Sequence, residues 1–385
     1  MAHNIQTHSE TLDHNPKEGD LGIIIESIGY AAHGSLINSL TKFHFQREAP
    51  QGNEILIDIL YCGVCHSDIH QVNNDWNNTI YPCVPGHEII GKVIELGSEA
   101  HKYNIGDIVG VGCMIDSCGH CDPCKKGEEN YCEGPVGFTS TYNGYMKPNG
   151  NEYNTFGGYS TNLVIREDFA LSIPKSLDIR SVAPILCAGI TTYSPLRHWN
   201  IKKGDRVGIV GIGGLGHMGV QIAAAMGAEV TAITHTEQKR EDAKRLGANY
   251  VLISENKEEM KNHELYFDFI LNTIPDSYDV NHYSDLLKRD STLVAVGLLA
   301  PYRKPINNMK IAIHRRSIAG SLIGGIKETQ EVLDFCAEHK ILPMVEVISM
   351  QEINIAFEKM EDEEVRFRYV IDMATLDRTD SQPIL

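Results

Sequence analysis

Arg206 to Gly219 read R-V-G-I-V-G-I-G-G-L-G-H-M-G, and the fold of half the chain follows from this stretch. Arg206 to Val210 is a short apolar run of strand type, and the glycine turn G-I-G-G-L-G occupies Gly211 to Gly216. Met218 to Met226 (M-G-V-Q-I-A-A-A-M) then reads as an apolar helix. A G-x-G-x-x-G alone is a weak signal that an ordinary turn also produces. Between a strand and a helix it becomes a dinucleotide fingerprint. Gly211 allows the tight turn, Gly213 the close approach of a pyrophosphate, and Gly216 the packing of helix on strand. Gly214 and Leu215 complete the run, and the helix N-terminus suits the pyrophosphate charge.

Outward from this turn the same alternation continues. Glu229 to Thr234 is a second strand, and Glu237 to Leu246 a charged amphipathic helix stopped by Gly247. Phe267 to Asn272 and Thr292 to Gly297 are further strands. Strands alternating with helices at this spacing predict an α/β unit with a doubly wound parallel sheet, over roughly residues 184–324. Upstream the pattern differs. Glu54 to Leu60 (E-I-L-I-D-I-L) alternates as a half-buried strand, and Ile89 to Leu96 and Ile108 to Val111 are similar. No convincing helical period precedes about residue 180, so this part is expected to be β-rich with inserted functional loops. Strands near Val345 to Ser349 and Arg368 to Ile371 are expected to return to it, giving a first domain of residues 25–183 and 325–385. Residues 1–24 are polar at the start and lack an apolar core for secretion, and a disordered tail is expected there.

The composition excludes several classes. The chain has 385 residues, a formal net charge of −17 and ten cysteines. That length suits two domains. So acidic a surface repels phosphate backbones and anionic lipid, so neither nucleic acid nor a membrane is an expected partner. No apolar run reaches the roughly 20 residues needed to span a bilayer, and the cytoplasm is the expected compartment.

The cysteines fall into two metal-type patterns. Cys118, Cys121, Cys124 and Cys132 lie in C-G-H-C-D-P-C-K-K-G-E-E-N-Y-C. Four thiolates in one short loop close a tetrahedral shell, which describes a structural zinc site. Two disulfides are the competing reading, but disulfide dependence belongs mainly to small secreted domains. The second pattern is dispersed: Cys65 in G-V-C-H-S-D-I-H, His87 in P-G-H-E and Cys187 in L-C-A-G. Two thiolates and one imidazole leave a fourth position open, which describes a catalytic zinc. Cys62, Cys83, Cys113 and Cys336 have no ligand spacing and read as small buried apolar residues.

Zinc and a dinucleotide together point to hydride transfer at a polarised carbonyl. An alcohol at the metal must lose a proton before hydride can leave. Ser67 and His70, beside the ligand Cys65, are the expected catalytic relay to solvent. Asp68 is suited to accept from the free ring nitrogen of His87 and fix its tautomer. At the end of the second strand an NAD site carries a carboxylate for the ribose 2′-OH. Here the sequence is A-I-T-H-T-E-Q-K-R, with Thr234, His235 and Thr236 at that point and Lys239 and Arg240 following. Hydroxyls and cations suit a 2′-phosphate, so NADP is expected. A shift in register would instead bring Glu237 to the ribose, and Lys239 and Arg240 read equally as a solvated helix face.

These residues carry a resemblance. Y-C-G-V-C-H-S-D-I-H, Y-P-C-V-P-G-H-E-I-I-G, the four-cysteine lobe, G-G-Y-S, L-C-A-G-I-T-T-Y-S-P-L, G-I-G-G-L-G-H-M-G and G-S-L-I-G-G resemble the zinc-dependent medium-chain alcohol dehydrogenases. Within them the chain looks most like the cinnamyl alcohol dehydrogenase group and its bacterial broad-range aldehyde reductases. The resemblance covers about residues 25–372. It implies a GroES-like catalytic domain joined to a Rossmann domain, with zinc on Cys65, His87 and Cys187 in the cleft between them. Cys2His with an open position is the ligand set known for alcohol dehydrogenase. The resemblance also implies that Glu88 approaches the metal when the shell rearranges. His66 falls at the pyrophosphate, Thr191 on the nicotinamide side, and Thr273, Gly297, Ser321 and Ile323 among the remaining cofactor contacts. Thr234, His235, Thr236 and Lys239 match its 2′-phosphate region, with His235 departing from the serine common there. A homodimer paired through the edges of the nucleotide sheets is expected.

The leading expectation is therefore an NADP-dependent alcohol dehydrogenase working as an aldehyde reductase on small-molecule substrates, primary alcohols or aldehydes of aromatic or other apolar type, with Trp76 either lining an apolar pocket or packing. A polyol-type, NAD-dependent zinc dehydrogenase is the alternative within oxidoreductases, although that branch usually has a carboxylate where Cys187 stands. A non-catalytic zinc module is the alternative from another class, and Lys125 and Lys126 are the only basic residues its lobe would offer.

Overall fold

The computed structural model describes residues 23–36, 39–144, 154–297, 300–362 and 367–378. Of the expected tail, residues 1–22 lie outside the described residues, and Ile24 already opens the strand Ile24–Ala31.

Six parallel strands form the sheet that the glycine turn predicts. Their spatial order is Tyr250–Ile253, Glu229–Thr234, Arg206–Val210, Phe267–Asn272, Leu287–Ala295 and Ser317–Gly320. Strand order therefore reverses beside Arg206–Val210, and ligands of doubly wound sheets bind at that switch point. The central strand is buried on both faces, with Val207, Ile209 and Val210 almost without exposure, because helices cover each side. Register is set at Arg206↔Glu229 and Val210↔Asn272. The strand expected at Thr292 to Gly297 begins earlier, at Leu287, and ends at Ala295. Its charged Lys288-Arg289-Asp290 segment, with Arg289 and Asp290 exposed, hides the apolar signal. The helix expected over Glu237 to Leu246 starts at Arg240, after a tight turn at Glu237–Lys239.

A seven-stranded mixed sheet makes the other layer. Val345–Ser349, Arg368–Asp372, Glu54–Val64, Ile89–Leu96, Ile108–Val111 and Leu171–Ser172 are neighbours in that order, and Asn162–Arg166 pairs with Glu54–Val64. The late strands thus do return to the early sheet: Arg368–Asp372 runs antiparallel to Glu54–Val64, with Tyr369 opposite Val64. Ile55, Ile57 and Ile59 are fully buried in a core they share with Val93, Phe357 and Ile371.

Helix does occur before residue 180, contrary to expectation. His66–Asn73 and Asp122–Lys126 are helical. The first is short and polar and buries only Ile69 and Val72 as its apolar pair, so its period is too weak to read. It forms because Asp68 closes a capping box at Cys65, and Asn74 ends it in the left-handed conformation at φ 62°. Ala188–His198 is buried almost all round and packs against the helix Gly216–Ala225. Among the described residues no helix is long and apolar enough to cross a membrane.

Candidate active site and metal centres

Two strand ends and a helix start converge on one buried cluster. Cys65 caps the helix His66–Asn73 directly after the strand Glu54–Val64. His87 and Glu88 precede the strand Ile89–Leu96, and Cys187 caps Ala188–His198. One donor atom from each of Cys65, His87, Glu88 and Cys187 lies within 4.8 Å of every other, and all four residues are buried. The Cys65 and Cys187 sulfurs are 4.0 Å apart. Two sulfurs, an imidazole and a carboxylate concentrated in this way fit a zinc ion.

The imidazole is oriented for that purpose. Asp68 has no exposure, and its Oδ1 accepts from His87 Nδ1 at 3.0 Å and from the Gly86 N–H at 3.1 Å. Its Oδ2 accepts from the Cys65 N–H at 2.9 Å and from the Tyr159 hydroxyl at 3.1 Å. A carboxylate on Nδ1 puts the proton there and leaves Nε2 for a metal. The same four donors hold the helix start and the loop before His87 in one piece.

Glu88 is tied to the far end of the chain. Its Oε1 pairs with the Arg368 guanidinium, and both groups are buried. Burial pushes the Glu88 carboxyl above its ordinary range, and Arg368 works against that push. Its other oxygen is buried without a hydrogen-bond partner. Such an orphan acceptor beside two thiols and an imidazole is a further mark of a cation site. Arg368 also borders the nucleotide turn: a Cβ built on Gly214 would stand 3.0 Å from Arg368 Cδ and 3.1 Å from Nη1. One guanidinium therefore spans the metal cluster and the glycine run.

The turn has the shape a pyrophosphate needs. Gly211 sits at φ 85°, and a Cβ on Gly216 would fall 1.7 Å from the Gly211 carbonyl oxygen. Gly213 has nothing within 4 Å of the same position, so its backbone is open to approach. The Thr273 hydroxyl donates to the Val210 carbonyl at 2.9 Å and fixes the turn from beneath.

The compact lobe is a second donor cluster. The sulfurs of Cys118, Cys121, Cys124 and Cys132 all lie within 4.8 Å of one another, and all ten cysteines are free. Backbone N–H groups of Cys121, Cys118, Glu133 and Gly134 donate to sulfurs of the set at 3.3–3.4 Å. Donors aimed at sulfur stabilise thiolates, so the lobe fits a metal and not two disulfides.

Comparison with known proteins agrees with this geometry. Residues 51–175 match the family described as "Alcohol dehydrogenase GroES-like domain", and residues 214–338 match "Zinc-binding dehydrogenase". Aldehyde reductase YahK of Escherichia coli (strain K12) is 52% identical over 339 residues, covering 88% of this chain and 95% of that protein. The chain belongs to the zinc-dependent alcohol dehydrogenases. Among relatives of this dehydrogenase, NADP-dependent alcohol dehydrogenase C 1 of Mycolicibacterium smegmatis is 47% identical, covering 90% of this chain and 98% of the relative. Among solved structures, a cinnamyl alcohol dehydrogenase of Sorghum bicolor superposes with a TM-score of 0.88 at 36% identity, over 93% of this chain and 100% of that one. One from Helicobacter pylori, complexed with NADP(H), gives 0.84 at 40% identity, over 91% and 99%. The early sheet is thus GroES-like and the parallel sheet Rossmann-like, as the motifs imply.

The remaining expected residues of the dehydrogenase fall as follows. Ser67 Oγ lies 3.6 Å from the Cys65 sulfur, whereas His70 Nδ1 is 2.9 Å from Asp75 and its ring meets Trp76 edge-on at 5.8 Å. No hydrogen bond joins Ser67 to His70 among the described residues, and His70 Nε2 is buried and unpartnered. His66 is exposed, with its ring 6.2 Å from that of His70. Thr191 is buried in the first turns of the Cys187 helix. At the end of the second strand Thr234 is buried, His235 exposed and Thr236 intermediate. Thr236 leads the turn Glu237–Lys239, and Glu237 is gripped by both Nε and Nη2 of Arg240, which also donates to the Val251 carbonyl at 3.1 Å. Arg240 is therefore engaged away from the strand end, and so is the one nearby acid. Gly297, Ser321 and Ile323 follow the strand ends on the other side of the turn, and the Ser321 N–H donates to the Ala295 carbonyl at 3.2 Å. Cys62, Cys83 and Cys336 are buried as expected, but Cys113 is half-exposed and its thiol neighbours that of Cys187.

Sequence reading missed Arg368 and Tyr159. Arg368 was visible only as part of a strand, and Tyr159 only as part of G-G-Y-S. The one available signal for Arg368 was a cation inside an otherwise apolar strand, Arg-Tyr-Val-Ile.

Proposed function

We propose that this dehydrogenase uses NADP(H) and reduces apolar, aromatic-type aldehydes to primary alcohols, with the reverse oxidation at the same site. The observation that carries this is Arg368, which touches the metal cluster through Glu88 and the cofactor turn through Gly214. That contact ties the residues that would hold the metal to the turn that would hold the cofactor, which is the juxtaposition hydride transfer needs.

In this reading Cys65, His87 and Cys187 hold the catalytic zinc, and Cys118, Cys121, Cys124 and Cys132 a structural one. Zinc in the first set supplies Lewis acidity at the carbonyl oxygen, and bound nicotinamide supplies the hydride. The protein does the rest. Asp68 keeps His87 in the ligating tautomer, and Glu88 waits beside the shell. Ser67 Oγ delivers the proton to the substrate oxygen, and His70, whose Nδ1 is held at 2.9 Å by the partly exposed Asp75, stands next on the path to solvent. Gly211, Gly213, Gly214, Leu215, Gly216 and Thr273 cradle the pyrophosphate, with His66 opposite. Thr191, Gly297, Ser321 and Ile323 serve the nicotinamide end. Thr234, His235, Thr236 and Lys239 receive the 2′-phosphate. The absence of an acid at the strand end and the engagement of Glu237 by Arg240 favour that phosphate over a bare ribose. The names of the M. smegmatis and H. pylori relatives point the same way. Trp76 beside His70 supports an apolar substrate.

We also propose a cytoplasmic homodimer. The strand Ser317–Gly320 ends the parallel sheet, and Met309 and Ile313 lie exposed on the neighbouring helical segment. A sheet edge flanked by apolar side chains suits isologous pairing. Sedimentation at micromolar concentration tests this, and a monomer refutes it. For the activity, NADPH consumption is followed by absorbance over a panel of aromatic and aliphatic aldehydes. A protein holding two zinc ions that turns over none of them overturns the proposal.

A further inference from the structure

The compact cysteine lobe touches more than itself. Between Cys124 and Cys132 the chain makes a tight turn, Glu129–Tyr131, and all three of its side chains reach the segment joining the strand Ser317–Gly320 to the helix Ile326–His339. Asn130 is buried, and its Nδ2 donates to the Leu322 carbonyl at 2.8 Å. The Tyr131 hydroxyl accepts from the Leu322 N–H at 3.3 Å. Glu129 Oε2 accepts from the Ile326 N–H at 3.0 Å. Gly325 packs so tightly on the lobe backbone that a Cβ there would stand 1.8 Å from the Gly127 oxygen.

What these contacts enclose is strained. Ile323 has φ 40°, a left-handed conformation that a β-branched residue rarely adopts. Such a conformation persists only where its surroundings over-determine it. Here the surroundings are the lobe, which grips Leu322 on one side of Ile323 and Ile326 on the other. Cys132 follows Tyr131 directly, so closure of the cysteine cluster fixes the turn from which the grip is made.

We infer that Glu129, Asn130 and Tyr131 are positioning residues that hold the Ser321–Gly325 segment in its strained form, so that the compact metal centre sets the affinity for the nicotinamide end of the cofactor. This rests on the reading that Ser321 and Ile323 face the nicotinamide. Released from the lobe, the segment relaxes toward an unstrained backbone. If the competent form falls to one tenth of the population, apparent affinity falls about tenfold.

The experiment uses full-length, zinc-loaded protein and two ligands: NADPH, and the 2′-phosphate of ADP-ribose, which has no nicotinamide ring. Asn130→Leu and Glu129→Ala are expected to weaken NADPH about tenfold and to leave the fragment within about twofold of wild type, with two zinc ions still bound. Glu129→Gln keeps an acceptor for the Ile326 N–H and is expected to restore NADPH binding. Unchanged NADPH affinity in both variants overturns the inference. So does parallel weakening of both ligands, which would mark general damage to the domain. A wild type that binds NADPH no more tightly than the fragment removes the nicotinamide reading of Ser321 and Ile323, and the inference falls with it.

Discussion

Asp68→Asn is the sharpest test of how the dispersed metal site is held. The change is isosteric, so packing is preserved and only the hydrogen-bond inventory alters. Each carboxylate oxygen of Asp68 now accepts from two donors, one of which is a backbone N–H. An asparagine must place its NH2 at one of those two positions. Facing Oδ2's partners, it meets the Cys65 N–H and opens the capping box. Facing Oδ1's partners, it meets the Gly86 N–H and turns His87 to the tautomer whose proton sits on Nε2, where a metal would bind. Either orientation loses at least one hydrogen bond to a charged acceptor, worth about 1.5–3 kcal/mol. Loss of an outer-shell partner of this kind typically lowers metal affinity 10–100-fold. The assay is zinc transfer to a chromogenic chelator, read as two phases, one per cluster. The dispersed-site phase should accelerate by that factor while the four-cysteine phase stays put. Tyr159→Phe removes one donor and leaves three, so its effect should be several-fold smaller. If Asp68→Asn releases zinc at the wild-type rate in both phases, the carboxylate does not govern His87, and the account of the tautomer is wrong.

Three further outcomes follow from the same geometry. Cys187→Ala should retain one zinc and no activity in a folded protein, whereas Cys124→Ala should lose the other zinc and mainly stability, since closed zinc sites contribute folding energy; elemental analysis with thermal unfolding separates them, and identical behaviour would merge the two roles. Ser67→Ala should lower kcat by roughly 100-fold or more at unchanged zinc content, and wild-type turnover would remove Ser67 Oγ from the proton path. His235→Asp should shift preference from NADPH toward NADH by about tenfold or more, because it repels the 2′-phosphate and offers an acceptor to a 2′-OH; an unchanged ratio of kcat/KM values would mean that the strand end does not meet the adenosine ribose.

What the sequence reveals here is chemistry that depends on residue identity, and what it conceals is chemistry that depends on distance. The two donor sets were legible because few other uses of four clustered cysteines, or of Cys65, His87 and Cys187 in their motifs, compete with metal binding. The glycine turn was legible because a strand and a helix flank it within twenty residues. Register at the second strand was harder: Thr234, His235, Thr236 and Glu237 are consecutive, and only the grip of Arg240 on Glu237 separates the acid from the strand end. The helix at His66 was hidden because its cap residue is a cysteine and its buried face includes the polar Asp68 and Gln71 beside Ile69 and Val72. Arg368 was out of reach altogether, since its partner Glu88 lies 280 residues away. A buried ion pair of that kind is recognisable only once both ends are placed. Removing either end leaves an uncompensated charge at a cost of about 3–5 kcal/mol. The same holds for the lobe: its cysteines announce a metal, but that Asn130 reaches Leu322 follows only from the chain returning, near its end, to a loop that the glycine motif had placed in the other domain.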